Sequence, residues 1–176
     1  MTEPSEWKRP ALGVLLAAIV LIACAEVSGA SMVKFKLELT RGARALILAR
    51  PAVHGLVGVR DVDEQIIDQA MAKIDGGYRL FHLHAEGMGL VIIATTMVVS
   101  TFVQLEGPRK ALTALLAVGG FGYPFGYLLW SGLIPFYGVE RGKDLAEWLV
   151  WIPFGSAVIV AMWWLTGILA VRLLRR

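Results

Sequence analysis

The sequence predicts an all-α integral membrane protein, a four-transmembrane-helix bundle forming one domain over residues 1–176, with an extended outer segment containing an amphipathic helix. Three observations carry this expectation. First, 57% of the residues are hydrophobic and only 18% charged, with a mean hydropathy of +0.65; soluble domains average about 25% charged residues. Second, four apolar runs reach the ~20 residues that a helix needs to cross a hydrocarbon core. Third, the basic residues flank those runs and form no stripe. A net charge of +3 and a pI near 9.2 therefore do not point to nucleic acid. The single cysteine, Cys24, excludes an intrachain disulfide and a thiolate metal cluster.

The first span covers residues 11–33 and carries one charge, Glu26. Within it "LIAC", residues 21–24, fits a lipoprotein signal, whose cleavage would leave a lipid-anchored Cys24 and three spans. The apolar run continues past Cys24 as "AEVSGASMV" and completes a full span. An intact first helix with an inert, buried Cys24 is therefore the favoured expectation.

The outer segment covers residues 34–79. "VKFKLEL" alternates Val33, Phe35, Leu37 and Leu39 with charged residues, the period of a strand, although an interfacial stretch has the same pattern. "TRGARALILARP" reads as a short helix capped by Thr40 and stopped before Pro51. "DVDEQIIDQAMAKIDGG" reads as a helix with Asp61 and Glu64 at capping-box spacing. Its apolar stripe is Val62, Ile66, Ala70 and Ile74, and Gly76–Gly77 form its stop. Such a helix is expected to lie across the outer ends of the bundle, apolar side down, or to pack on a partner subunit.

The second span covers residues 80–105 and has no charge after Glu86. The third covers residues 111–137. Gly122 and Gly126 permit close approach of a helix or a flat ligand, Pro124 predicts a mid-helix kink, and Tyr123, Tyr127, Trp130, Phe136 and Tyr137 supply aromatic bulk. That bulk suits close packing and an interfacial belt, or the lining of a planar cofactor or quinone. The fourth span covers residues 148–171, where Trp148, Trp151, Trp163 and Trp164 read as belts and lipid-facing bulk and Pro153 predicts a bend. The loop before it, "GVERGKDLAE", is balanced in charge.

Orientation follows from the bases near short loops. Lys8 and Arg9, then Arg109 and Lys110, then Arg172, Arg175 and Arg176 fall on one side of a four-span chain. That side is assigned to the cytoplasm of a bacterial inner membrane, with both termini on it.

"YRLFHLHAEGMGL", residues 78–90, places His82, His84 and Glu86 at the start of the second span, where ionisable groups are costly. At about 1.5 Å per residue, Glu26 lies ~22 Å along span 1, some ~8 Å below the outer surface of a core about 30 Å thick. Glu86 lies ~9 Å deep by the same rise, so these acids and histidines share one layer of the outer leaflet. A helix turns ~100° per residue, which puts His82 and Glu86 on one face and His84 on the other. The stretch therefore offers two half-sites. Each is completed by something else: a second chain, the outer segment or the bundle interior.

Candidate ligands are His82, His84 and His54 for a haem, and His82, His84, Glu86 and Glu26 for a transition metal such as iron, copper or zinc. The mixed histidine–carboxylate set suits iron, zinc or manganese better than soft copper(I). Proton or quinone handling by a histidine and a glutamate is a further option. A bland alternative also stands: interfacial histidines, with a Glu26–His or Glu–Arg79 pair that only fixes packing. His54, beside Pro51 and Gly55, is the weakest candidate.

"YRLFHLHAEGMGLV" resembles the second-helix signature of small haem-copper-oxidase subunit I-like proteins, in which an arginine, then histidines, then a glycine-containing apolar run open a helix. The matching positions are Arg79, His82, His84 and Gly89. The resemblance implies that one of these histidines ligates a b-type haem. No histidine occurs in spans 3 or 4, and there is no His-Pro-Glu stretch, so the copper-centre ligands of that family are missing. A b-haem electron carrier or an oxidase-like accessory subunit is what the resemblance leaves.

Three functional expectations follow: a subunit of a redox or respiratory complex with an outer-leaflet haem or metal site, a non-catalytic structural subunit of a larger membrane complex, or a metal-dependent membrane enzyme acting at the outer face. The expected partners are the lipid bilayer and other membrane subunits or further copies of the chain, with quinone as a candidate small molecule. Reporter fusions at residues 60 and 108 are expected to report opposite sides of the membrane; signals from the same side would overturn the four-span topology.

Overall fold

The computed structural model describes residues 6–175. Arg176, one of the bases used for orientation, lies outside them. The described chain is helical throughout, with no strand. Its helices are α1 (Leu12–Lys34), α2 (Lys36–Leu48), the single turn α3 (Pro51–His54), α4 (Arg60–Phe102), α5 (Glu106–Gly122), α6 (Phe125–Tyr137), α7 (Val139–Ala146) and α8 (Ile152–Leu174). Four helical stretches are long and apolar enough to cross a membrane: α1, α4, α5 with α6, and α7 with α8.

The second apolar helix is much longer than its apolar run. α4 has 43 residues and, at about 1.5 Å per residue, is ~64 Å long. Its buried positions run Ile67, Ala70, Ile74, Gly77, Phe81, Ala85, Gly89, Ile92, Thr96 and Val99. They are spaced by three and four residues, which keeps one seam facing the same way over the whole length.

Three core layers sit along this seam. Ile47, Ile67, Ala70, Ile74 and Ile134 join α2, α4 and α6 at the far end. Ala18, Leu21, Ala25, Phe81, Ala85 and Ile92 join α1 to α4 in the middle. Val99, Val103, Leu112, Leu116, Ala161 and Leu165 join α4, α5 and α8 at the end that carries the termini.

This continuity overturns the expected stop at Gly76–Gly77 and the amphipathic helix lying across the bundle: the segment is a collinear extension of the second span. Neither glycine has a positive φ. Each costs about 1 kcal/mol of helix propensity relative to alanine. Gly77 lies in the seam, where a Cβ would fall 1.9 Å from Ser131 Oγ and 3.1 Å from the Tyr127 carbonyl oxygen. Its lack of a side chain is what lets α6 approach. The buried stripe also shifts from the expected Val62 and Ile66, since Ile67 is buried while Val62 is 44% exposed. Glu64 does not serve a capping box. It pairs with Arg44 of α2, whose guanidinium it pushes further above its ordinary value through a hydrogen bond and its charge. Asp63 instead accepts from the Val57 and Gly58 amides at 2.8 and 3.0 Å.

The alternating stretch 33–39 is helical as well. The strand expectation fails because the stretch continues into α2, whose Ala43 and Ile47, four residues apart, carry one face onto the far-end core. α1 and α2 meet at a bend on Phe35, and Thr40 lies inside α2 without capping it. The loop after span 3 is helix α7. Gly138, at φ 80°, reverses the chain there, and α7 packs back against α6.

Pro124 does sit at the break between α5 and α6. Before α8 a π-helical turn spans Glu147–Trp151, two residues ahead of Pro153. A widened turn there relieves the clash of the proline ring with the preceding turn. The Gly122/Gly126 pair is filled by side chains from span 4: a Cβ at Gly122 would meet the Phe154 ring at 2.4 Å, and one at Gly126 would meet Trp151 Nε1 at 2.3 Å. Trp148 and Trp163 are each 73% exposed, which is compatible with lipid-facing bulk. α1 runs unbroken through Cys24, which is half-buried against the middle core layer.

α5 and α8 approach closely at Gly119, where a Cβ would lie 2.8 Å from the Phe154 carbonyl oxygen and 3.0 Å from Ala157 Cβ. Gly119→Ala is expected to destabilise the fold by about 1–3 kcal/mol, whereas Gly87→Ala, with open space at its Cβ, is neutral or gains up to ~1 kcal/mol. Thermal unfolding in detergent checks both; equal melting temperatures would overturn this account of the α5–α8 contact.

Candidate functional site

His82 and His84 lie two residues apart on α4 and face different neighbours. His82 faces α1. Its Nδ1 is 2.9 Å from the Ala25 carbonyl oxygen, and since a carbonyl only accepts, Nδ1 carries the proton. The ring fits there because α1 presents Gly29: a Cβ at that position would lie 3.1 Å from His82 Cε1. Nε2 then points toward Glu86 Oε1 at 3.6 Å, one helical turn along the same face and too far for a hydrogen bond. In the neutral ring that nitrogen has a bare lone pair with no hydrogen-bond partner among the described residues.

Glu26 follows Ala25 on α1 and is exposed. It lines a cleft of about 850 Å³ between α1 and α4 together with Gly29, Lys36, Asp75, Arg79 and His82. Arg79 pairs with Asp75 at 2.8 Å, not with a glutamate as the bland alternative had it. The cleft continues past Met32, Lys36 and Asp75 into a second cavity of about 420 Å³ between α2, α4 and α6, with mostly apolar walls.

His84 faces α6. Nδ1–H donates to the Leu80 carbonyl oxygen of its own helix at 2.8 Å, which leaves Nε2 as an acceptor. Tyr127 Oη donates to it at 3.3 Å, and Tyr123 Oη donates in turn to Tyr127 Oη at 3.4 Å. The His84 and Tyr127 rings lie 4.5 Å apart between centroids, and Trp151 packs on the other side of Tyr127 at 4.9 Å. Both ring nitrogens of His84 are thus engaged.

His54 lies at the far end of α6, where Nε2–H donates to the Pro135 carbonyl oxygen at 3.3 Å. Nearby, the Arg50 guanidinium stacks on Phe136, 4.9 Å from the ring centroid.

The fold therefore brings His82 and Glu26 to one cleft with Glu86 one turn from His82, sends His84 to the opposite face of α4, and holds His54 on α6. Among the described residues no three histidine, cysteine, aspartate or glutamate side chains converge closely enough to hold a metal ion. The two-sided arrangement follows from helical spacing. The hydrogen-bond partners Ala25 and Tyr127 were not legible, because they lie 57 and 43 residues away in sequence. The cations Lys36 and Arg79 at the cleft were missed as site residues; the i, i+4 spacing of Asp75 and Arg79 was the available signal.

At a pH above the ordinary imidazole range, ¹⁵N NMR of the full chain is expected to show His82 and His84 protonated on Nδ1 and His54 on Nε2. A proton on Nε2 of His82 would contradict the Ala25 contact.

No family model, no curated protein and no solved structure matches this chain.

Proposed function

We propose that the chain is an integral subunit of a membrane redox or respiratory complex. In this reading it spans a bacterial inner membrane four times with both termini in the cytoplasm, and the cleft around His82 is an outer-leaflet cofactor site. The observation that carries the reading is the state of His82: an imidazole anchored by an Nδ1–H···O=C bond, with a bare Nε2 that faces Glu86 at 3.6 Å, on a cleft that Glu26, Lys36 and Arg79 also line. Metal-ligating histidines are held in this way, since the anchored Nδ1–H fixes the tautomer and the ring orientation.

The donor set discriminates between cofactors. A closed tetrahedral ion site needs about four protein ligands, and the described residues do not converge to supply even three. A metal at His82 and Glu86 would need donors from a neighbouring subunit or a second copy. A b-type haem would need an imidazole from this chain, which His82 would supply; Lys36, with Arg79 beside it on Asp75, would offer positive charge for its carboxylates. Such a group would contribute one-electron transfer. In that site Ala25 orients the imidazole, Gly29 makes room for it, and Glu86 is placed to exchange a proton beside it. The resemblance of residues 78–91 to the oxidase second-helix signature points the same way, with His82 as the ligand and His84 as a packing residue tied to Tyr127.

A non-catalytic structural subunit is the second reading. It is favoured by the same hydrogen bonds, because each histidine already ties a backbone carbonyl.

Visible absorption and metal analysis of the full chain, purified with its native partners, separate the two. The redox reading expects a Soret band or about one metal per chain, falling at least tenfold in His82→Ala and unchanged in His84→Ala. Absence of both signals in the wild type, or equal retention by both variants, leaves the structural reading.

A further inference from the structure

The end of the bundle that carries the termini has a groove unlike the histidine cleft. A cavity of about 470 Å³ between α1, α4 and α5 is lined by Lys8, Arg9, Arg109 and Lys110 together with Ser100 and Thr113. The approach to α1 is fixed in place, because the Lys8 amide donates to Thr101 Oγ1 at 2.9 Å and Trp7 packs edge-on against Phe102 at 5.4 Å. Among the described residues Lys110 alone of the four has an acidic partner, Glu106 at 2.7 Å. Gathering like charges around one cavity is unfavourable unless an anion sits among them.

The groove does not stop at the cations. It descends along Ala11 and Val14 of α1 and Ala114 and Ala117 of α5. At Ala117 it meets a further apolar cavity of about 570 Å³ walled by Ala17, Val118, Phe121, Phe125, Val150 and Phe154. No charged residue lines that second part. From Lys110 to Phe121 along α5 the groove runs ~17 Å, close to half of a hydrocarbon core about 30 Å thick.

The geometry points to a bound anionic phospholipid: its phosphate-bearing headgroup among Lys8, Arg9, Arg109 and Lys110, and an acyl chain along the α1–α5 groove. The inference rests on the membrane reading above, and is independent of any cofactor at His82. A free phosphate or nucleotide would use the cations and leave the apolar limb unused. A zwitterionic lipid would use the limb and leave the cations unbalanced.

The test is native mass spectrometry of the full chain in neutral detergent, titrated with dioleoyl phosphatidylglycerol, with dioleoyl phosphatidylcholine and with inorganic phosphate. Phosphatidylglycerol is expected to bind at least tenfold tighter than phosphatidylcholine, and millimolar phosphate to leave it bound. The variant Arg9→Gln/Arg109→Gln is expected to lose most of that preference. Arg175→Gln, which removes a base at the same end outside the groove, is expected to keep it. Equal binding of the two lipids, displacement by phosphate, or an equal loss in Arg175→Gln would overturn the site. Alkaline-carbonate extraction of the wild-type chain from membranes checks the underlying reading separately: release would defeat the membrane assignment, whereas retention without lipid preference defeats only the lipid site.

Discussion

The structure depends on the small-residue seam of α4. Apolar helices in a lipid-like environment gain little from hiding from each other's surroundings, so close packing must come from shape. Gly77 and Gly89 remove side chains from the seam where α6 and α1 meet it, and Ala85 leaves only a methyl. At Gly89 a Cβ would fall 2.5 Å from Ile22 Cγ1 and 3.1 Å from the Ala18 carbonyl oxygen. Only with backbones this close can the His82 imidazole reach a main-chain carbonyl on α1. The site chemistry is therefore downstream of packing.

The same seam makes the two histidines chemically unequal. Residues two apart on a helix face roughly opposite ways, and α4 has a different neighbour on each side. Toward α1 lie a backbone acceptor and a charged cleft, which leave one nitrogen of His82 bare. Toward α6 lie two tyrosines and a tryptophan, which occupy His84 fully. A histidine pair that reads as one motif thus splits into a candidate ligand and a packing residue. The two ends of the bundle divide in a similar way. One end sets both acids and bases around a cleft, with Asp75 paired to Arg79, and the other gathers bases around a groove that continues into apolar walls.

Local signals misread the outer segment and the loop after span 3 for one reason. Gly76–Gly77, the alternation in "VKFKLEL" and the polar run after Tyr137 are each sound indicators over five to ten residues. Each was outweighed by contacts with an element distant in sequence: Gly77 by α6, α2 by the far-end core, and α7 by α6. A helix held along its whole length by packing tolerates two glycines that would end an isolated one.

The sequence by itself determined the four apolar helices, the break at Pro124 and the opposite facing of His82 and His84. These depend on run length, on proline's missing amide and on the fixed turn per residue, all of which are local properties. The tertiary structure alone decided which helix each histidine meets, which ring nitrogen is left free, and that four bases from the N-terminal ends of two helices share one groove. Those outcomes depend on where chain segments tens of residues apart come to lie against one another. Periodicity carries no record of that, because each helix presents the same pattern whatever packs against it.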